Sequence, residues 1–376
     1  MTQPLDGGMT YASVGIDYEM MDPFKRMAQA AAQETSLNIR SSGYAFEEET
    51  RGESVQLVEM DRLYLAHVEE GLGTKNIIAD EMYRLNGRSY YGQIAEDTVA
   101  MIVNDMITLG AMPLTVAMHL AVGSSDWFNN VNRARDLIHG WQRACNYAGC
   151  TWGGGETPTL KDVVIPGRFV LNGSATGIIE PKKRRIWGNI QNGDRIILLN
   201  SSGVHANGLT LARKIAEKLP EGYLTKLSSG KTYGEALLDS TQIYVHVIED
   251  LLDAGVDIHY AVNITGHGWR KLMRSPRPFT YVIKHLPTPM PIFEFLQEKG
   301  SISDEEMYGT FNMGAGFALY LDDANTKKAV HILDKYPFPK RVGWIVAGSI
   351  HASEERMVVI ESKDIVFDEA SLNVRS

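Results

Sequence analysis

Between residues 91 and 109 the apolar positions recur at the spacing of one helical face. Val99, Ile102, Val103, Met106 and Ile107 follow one another at alternating intervals of three and one. This is the best helical pattern in the first half of the chain. Asp97, Met101 and Asp105 run along one edge of the predicted helix. Two carboxylates eight residues apart lie about 12 Å apart along a helix axis, so they cannot both ligate one ion. Asp97 reads either as an acid near a helix start, which the dipole favours, or as a site residue. Asp105 sits late in the helix, beside Asn104 and just before Gly110, where a carboxylate is disfavoured. A local penalty of that kind points to a site.

The same reading along the rest of the chain predicts a leader over residues 1–20 with no packing of its own. A helix follows over 20–34, with Met21, Phe24, Met27, Ala28 and Ala31 apolar, then a polar loop over 40–56. Strand patterns cover 63–68, 111–122 and 168–180, and an amphipathic helix covers 131–147 with Leu137, Ile138, Trp141 and Ala144 inward. The basic run 181–185 reads as a solvated turn between two domains, 1–183 and 184–376. The second half predicts a strand over 195–199, a helix over 209–219 and a long helix over 235–254. That helix has Leu238, Ile243, Val247, Ile248, Leu251 and Leu252 as its core face. Strands ending at Tyr320 and covering 342–347 and 357–361 follow, and the tail after Phe367 reads as loose.

Composition narrows the function more than the fold. The 376 residues are 44% hydrophobic and 22% charged, which suits two globular domains. A net charge of −9 argues against general affinity for nucleic acid. There is no apolar run of membrane-spanning length, and the N-terminus is no signal peptide. Cys145 and Cys150 are spaced neither as C-x-x-C nor as a zinc pattern, and read as reduced thiols of a cytoplasmic protein.

Glycine turns next to acids carry the candidate chemistry. Over 69–75 the chain reads Glu-Glu-Gly-Leu-Gly-Thr-Lys. Gly71 and Gly73 allow close backbone approach to a ligand, and Thr74 and Lys75 offer a hydroxyl and an ammonium to phosphate oxygens. Glu70 offers a carboxylate to a metal. This is not a Walker A loop. Gly153-Gly154-Gly155-Glu156 repeats the pairing of glycines with an acid. In the second half, Ser201 to Gly208 carries His205 and Asn207 between a predicted strand and helix, where an anion fits. Asn263-Ile264-Thr265-Gly266-His267-Gly268 forms another such turn. Acids in one half and neutral turns in the other suggest an ATP-using enzyme with its site in a cleft.

These stretches, together with Gly15-Ile16-Asp17, Gly110-Ala111-Met112-Pro113-Leu114 and Glu306 to Gly314, stand in an order that resembles aminoimidazole ribonucleotide synthetase. That is the phosphoribosylformylglycinamidine cyclo-ligase family. The resemblance runs from Tyr11 to about Ile360. It implies a PurM-like α+β fold of two α/β-type domains. The first would contribute strands to a barrel shared across a homodimer, and the second would be a mixed sheet packed with helices. It implies ATP- and Mg2+-dependent ring closure of formylglycinamidine ribonucleotide, with no nucleic-acid or membrane partner. By position, Glu70, Asp105 and Glu156 would hold magnesium. Gly71, Gly73, Thr74 and Lys75 would hold phosphates, and Gly15 and Asp17 would close over a nucleotide also lined by Asp97, Asn104, Thr265 and Gly266. His205, Asn207 and Lys75 would serve the reacting groups. The chain departs from the pattern at Glu70, where the family usually has Asp, at Asn263 for a His, and at His267 for the middle glycine of its turn. Two alternatives stay open. One is a related ATP-dependent enzyme acting on another small substrate, such as a thiamine-phosphate kinase. A selenophosphate synthetase is disfavoured, because no cysteine stands near the N-terminus. The other is a non-catalytic nucleotide-binding relative.

Overall fold

Strands that alternate in the first half, and strands apolar on both faces in the second, build two separate sheets. The computed structural model describes residues 8–336 and 342–372. The first sheet contains β1 (Ala45–Phe46), β2 (Gln56–Glu59), β3 (Tyr64–Leu72), β4 (Met112–Val122), β5 (Thr151–Glu156) and β6 (Phe169–Ile179), in the order β1-β2-β3-β6-β4-β5. Only the β4–β5 pair is parallel. The second contains β7 (Arg195–Asn200), β8 (Tyr260–Asn263), β9 (Phe279–Ile283), β10 (Ala315–Leu321), β11 (Trp344–Ala352), β12 (Met357–Ile360) and β13 (Ile365–Asp368). Its order is β13-β12-β9-β11-β7-β10-β8, with β9 and β12 parallel. The helices are α1 (Tyr18–Thr35), α2 (Thr74–Asn86), α3 (Tyr91–Met106), α4 (Val131–Ala148), α5 (Leu209–Ala216), α6 (Tyr233–Leu237), α7 (Val245–Asp253), α8 (Pro291–Gly300), α9 (Asp304–Thr310) and α10 (Asp323–Leu333).

The period of two along β7 feeds two cores. Ile197 and Leu199 join the main core, while Ile196 and Leu198 face a second one with Trp269, Tyr281 and Tyr320. The main core runs without a break from the first sheet through α3 to the helices of the second half. α3 is buried almost all round, polar positions included, because the first sheet, α4 and β8 enclose it. It packs closely on α4 because Gly140 meets the Gly92 backbone, where a Cβ would lie 2.2 Å from the Gly92 oxygen.

Several expectations need correction. The 235–254 helix is broken: α6 ends at Leu237 and α7 begins at Val245. The intervening backbone is held by side chains from elsewhere. Thr241 N–H donates to Asp97 Oδ1 (2.7 Å), Tyr244 N–H donates to Asn104 Oδ1 (3.0 Å), and Lys75 donates to the Asp239 carbonyl (2.9 Å). The described part of the leader is anchored. Met9 N–H donates to the Gly300 carbonyl (3.2 Å) and Tyr11 N–H to Glu306 Oε1 (2.7 Å). The tail after Phe367 finishes β13 and forms a 3-10 turn, Glu369–Ser371, and Leu372 is buried. Residues 1–7 and 373–376, at the two ends of those readings, lie outside the described residues. α1 forms as expected, but Phe24 and Met27 on its apolar face are 69% and 65% exposed. No helix among the described residues is long and apolar enough to cross a membrane.

Candidate active-site cleft

β3 does not stop where a glycine loop was expected. It continues to Leu72, so Glu70 and Gly71 lie within the strand. Alternation puts Glu70 on the same face as Val68 and Leu72, which is the face turned to α3. There it meets Asp105, one residue from the end of α3. These two carboxylates sit in a cleft of about 530 Å³ shared with Met101, Asn207, Asn263, Thr265, Gly266 and Lys271. Residues 52–54, Gln56 and the α1 side chains Tyr18, Met21 and Lys25 also line it.

The cleft is electrostatically tense. Burial, and then the Asp105 charge, push the Glu70 carboxyl up to about 7, with Lys271 opposing. Asp105 is 5% exposed and accepts from Asn263 Nδ2 at 2.7 Å. Burial and Arg274 push Lys271 down to about 8 against the pull of Asp105 and Glu70. Its ammonium donates to Thr265 Oγ1. Hard oxygen donors crowded together in this way fit magnesium, which takes one or two protein carboxylates and completes its shell with water and phosphate.

Four expected site residues are absent from the cleft and form a buried polar knot instead. Lys75 is 0% exposed and pairs with Asp97 Oδ2 at 2.7 Å. It also donates to the carbonyls of His205 and Asp239, each at 2.9 Å, so its three N–H bonds are all used. Asp97 is wholly buried, and its other oxygen accepts from the Thr241 hydroxyl and amide. Asn104 bridges the Gln242 carbonyl and the Tyr244 amide. His205 Nε2 accepts from the Ser202 amide at 3.1 Å, and burial followed by the Lys75 charge pushes the imidazole down to about 3. These residues hold the α6–α7 break and line neither of the two clefts beside α1.

The remaining expectations divide. Asn207, Thr265 and Gly266 line the cleft. A Cβ on Gly266 would come within 2.9 Å of the Tyr18 hydroxyl, so glycine is what lets α1 sit this close. Asp17 caps α1 by accepting from the Glu19 amide at 2.9 Å. With Ile16 it lines a second cleft of about 680 Å³ that reaches Arg26 and Arg270, and Gly15 precedes them in the left-handed conformation. Gly71 packs on Asn172 of β6, and Gly73 and Thr74 open α2 outside both clefts. Glu156 is on the exposed edge strand β5, three strand steps and so about 14 Å from β3. Its carboxylate turns back to the Thr157 amide, and no three metal-ligating side chains cluster among the described residues. Glu156 therefore does not complete a site with Glu70 and Asp105 within one subunit.

Family models place this architecture. Residues 57–179 match the AIR synthase related protein N-terminal domain, and residues 191–354 match its C-terminal domain. The chain belongs to the AIR synthase related family. A phosphoribosylformylglycinamidine cyclo-ligase of Methanocaldococcus jannaschii is 35% identical over 303 residues, covering 80% of this chain and 83% of that protein. The one from Carboxydothermus hydrogenoformans is 31% identical over 371 residues, covering 94% and 99%. Among solved structures, a HypE–HypF complex aligns with a TM-score of 0.62 at 17% identity, over 86% of this chain and 94% of that one. HypE in complex with ATP aligns at 0.57 and 14% identity, over 80% and 82%. At such identities these two show a shared fold.

Three of the departures read in the sequence, Glu70, Asn263 and His267, line the cleft. Asn263 supplies the amide that binds Asp105. His267 stands where the family pattern has a glycine and adopts the left-handed conformation (φ 68°). Its ring stacks on Tyr18 at 3.6 Å between centroids, its amide donates to the Tyr18 hydroxyl, and its Nε2 lies 3.5 Å from Asp22. His267 therefore pins the start of α1 over the cleft. Sequence reasoning named it only as a departure and missed Lys271, Tyr18, Lys25 and Arg274. The signal for His267 was a non-glycine residue in a turn that otherwise reads Thr-Gly-x-Gly.

Proposed function

We propose that this protein is an ATP-dependent cyclo-ligase that converts formylglycinamidine ribonucleotide to aminoimidazole ribonucleotide, ADP and phosphate. The observation that carries the reading is the Glu70–Asp105 carboxylate pair sharing a ligand-sized cleft with Lys271, in a chain 35% identical to a relative of that name. That relative's name also favours this reading over a different substrate or a non-catalytic role.

The amide oxygen of the substrate attacks the γ-phosphorus of ATP, and the bond from that phosphorus to ADP breaks. The neighbouring amidine nitrogen then attacks the activated carbon, the C–O bond breaks, and phosphate leaves with the former amide oxygen. The nitrogen gives its proton to solvent. Positioning and charge neutralisation carry such a reaction, without a covalent nucleophile. Glu70 and Asp105 would hold magnesium, which when bound neutralises the phosphate oxygens. The Thr265–Gly266 turn and Asn207 orient the polyphosphate and the substrate amide. The second cleft, beside Asp17, takes the nucleoside end, and α1 separates the two clefts through Tyr18.

The exposed edge of β5 is open to a second copy, which supports a homodimer, and a metal role for Glu156 requires that partner. The reaction draws on ATP and ribonucleotide pools and so belongs in the cytoplasm. The test is a steady-state assay with ATP, Mg2+ and formylglycinamidine ribonucleotide that follows ADP and the imidazole product together. Equal amounts support the cyclo-ligase. ADP or nucleotide binding without the imidazole refutes the substrate.

A further inference from the structure

Three cations line the cleft, and two are committed to the protein. Lys25 donates to Asp22 Oδ1 at 2.8 Å. Arg274 donates to Ser54 Oγ at 3.0 Å and to the Gly52 carbonyl at 2.8 Å, and its Nε lies 3.4 Å from Glu53. Lys271 differs. Among the described residues its ammonium donates to Thr265 Oγ1 alone, and no carboxylate lies within ion-pair distance of it. An ammonium has three N–H bonds, so two remain for a ligand in a half-buried setting where leaving them unpaired is costly. The hydroxyl it uses belongs to the same Thr265–Gly266 turn that lines the cleft.

We infer that Lys271 is the phosphate-binding cation of this site, holding the terminal phosphoryl group of ATP in the position that the sequence assigns to Lys75. Lys75 cannot serve, because Asp97 and two carbonyls take all its protons. The Glu70–Asp105 pair in the same cleft would hold magnesium, which would supply further neutralisation of the phosphoryl group beside the Lys271 ammonium. Its short 3-10 helix, Gly268–Met273, is held in place by Trp269 in the second core and by the Arg270 bond to the Gly309 carbonyl (2.8 Å), so the ammonium is delivered by a rigid element.

This inference rests on the ATP part of the proposed function and not on the identity of the second substrate. The test is calorimetric binding of a non-hydrolysable ATP analogue and of ADP at saturating Mg2+, to the full-length wild type, Lys271→Met and Lys271→Arg. A charge-assisted contact to the terminal phosphoryl group is worth about 10- to 100-fold. Lys271→Met should lose that factor for the analogue and little for ADP, while Lys271→Arg keeps most of the discrimination. Lys271→Gln stands in should the Met variant fail to fold. Equal losses for both nucleotides, or an unchanged ratio with tighter Mg2+ binding, would mean that Lys271 only balances Glu70 and Asp105, and would overturn the inference. Should the wild type bind the analogue yet form no imidazole, the cyclo-ligase reading falls, and the ratio still decides the role of Lys271.

Discussion

Replacing Glu70 by Gln keeps the shape of the side chain and removes its titration. The carboxyl rises from an ordinary 4.5 to about 7 in the fold, first through burial and then through the Asp105 charge. The folded protein therefore binds this proton more tightly than the unfolded chain. The stability it contributes is complete below pH 4.5 and is lost as the pH rises through 7. At 1.36 kcal/mol per pH unit of difference, integration from pH 5 to pH 8 gives a loss of about 2.5 kcal/mol without metal. Because Asp105 and Lys271 share the same field, the comparison between proteins isolates Glu70 better than either profile does alone. Urea denaturation in EDTA at the two pH values should show the wild type losing about 2.5 kcal/mol more than Glu70→Gln. Saturating Mg2+ at pH 8 should restore the wild type and leave the variant almost unchanged, since a ligand stabilises only the state that binds it. Identical pH dependence in the two proteins would refute the picture of crowded carboxylates.

The buried knot makes a different prediction. Lys75→Met leaves the buried Asp97 without a cation and should cost about 3–5 kcal/mol in denaturation midpoint analysis, and a selective loss of nucleotide affinity at full stability would contradict that. Asp105→Asn keeps its size and the Asn263 partner, so the melting temperature of the free protein should stay near wild type. Mg·ATP, however, should no longer raise it, and a global loss of fold would make Asp105 structural. His267→Gly relieves a left-handed side chain, worth about 1 kcal/mol, and forfeits a ring stack worth about 0.5–1.5 kcal/mol. Global stability should barely move, while trypsin should cut at Lys25 or Arg26 faster; unchanged cleavage would show that α1 does not depend on the stack.

The readable parts of the site were those whose signal is local. Asp105 stood out because a carboxylate near the C-terminal end of a helix works against the dipole, and the fold places it in the cleft. Glu70 stood out beside two glycines. Its real placement follows from the period of β3, which carries it onto the face of Val68 and Leu72 and not into a loop. The apolar periods of α3 and α4 predicted both helices to within a few residues, because their faces are buried by tertiary packing. The α6–α7 break was illegible for the opposite reason. The apolar spacing continues through residues 238–248, and what stops the helix is a set of side chains more than a hundred positions earlier in the chain.

Asp97 and Lys75 show where sequence reasoning goes astray and how it could be sharpened. Each carries a charge in a setting that suggests chemistry, and in both cases the setting is a core. α3 is enclosed almost all round by the fold, so the acid seven positions in is buried with it. A buried acid needs a buried cation. That argument leads to a pair with Lys75, and it removes both residues from any list of groups free to touch a ligand. A cation for the phosphate must then come from a residue that packs less completely. Lys271 meets that description on the short 3-10 helix that the left-handed His267 opens. His267 thus both stacks on α1 over the site and opens the short helix that carries the one lining ammonium with no carboxylate within ion-pair distance among the described residues.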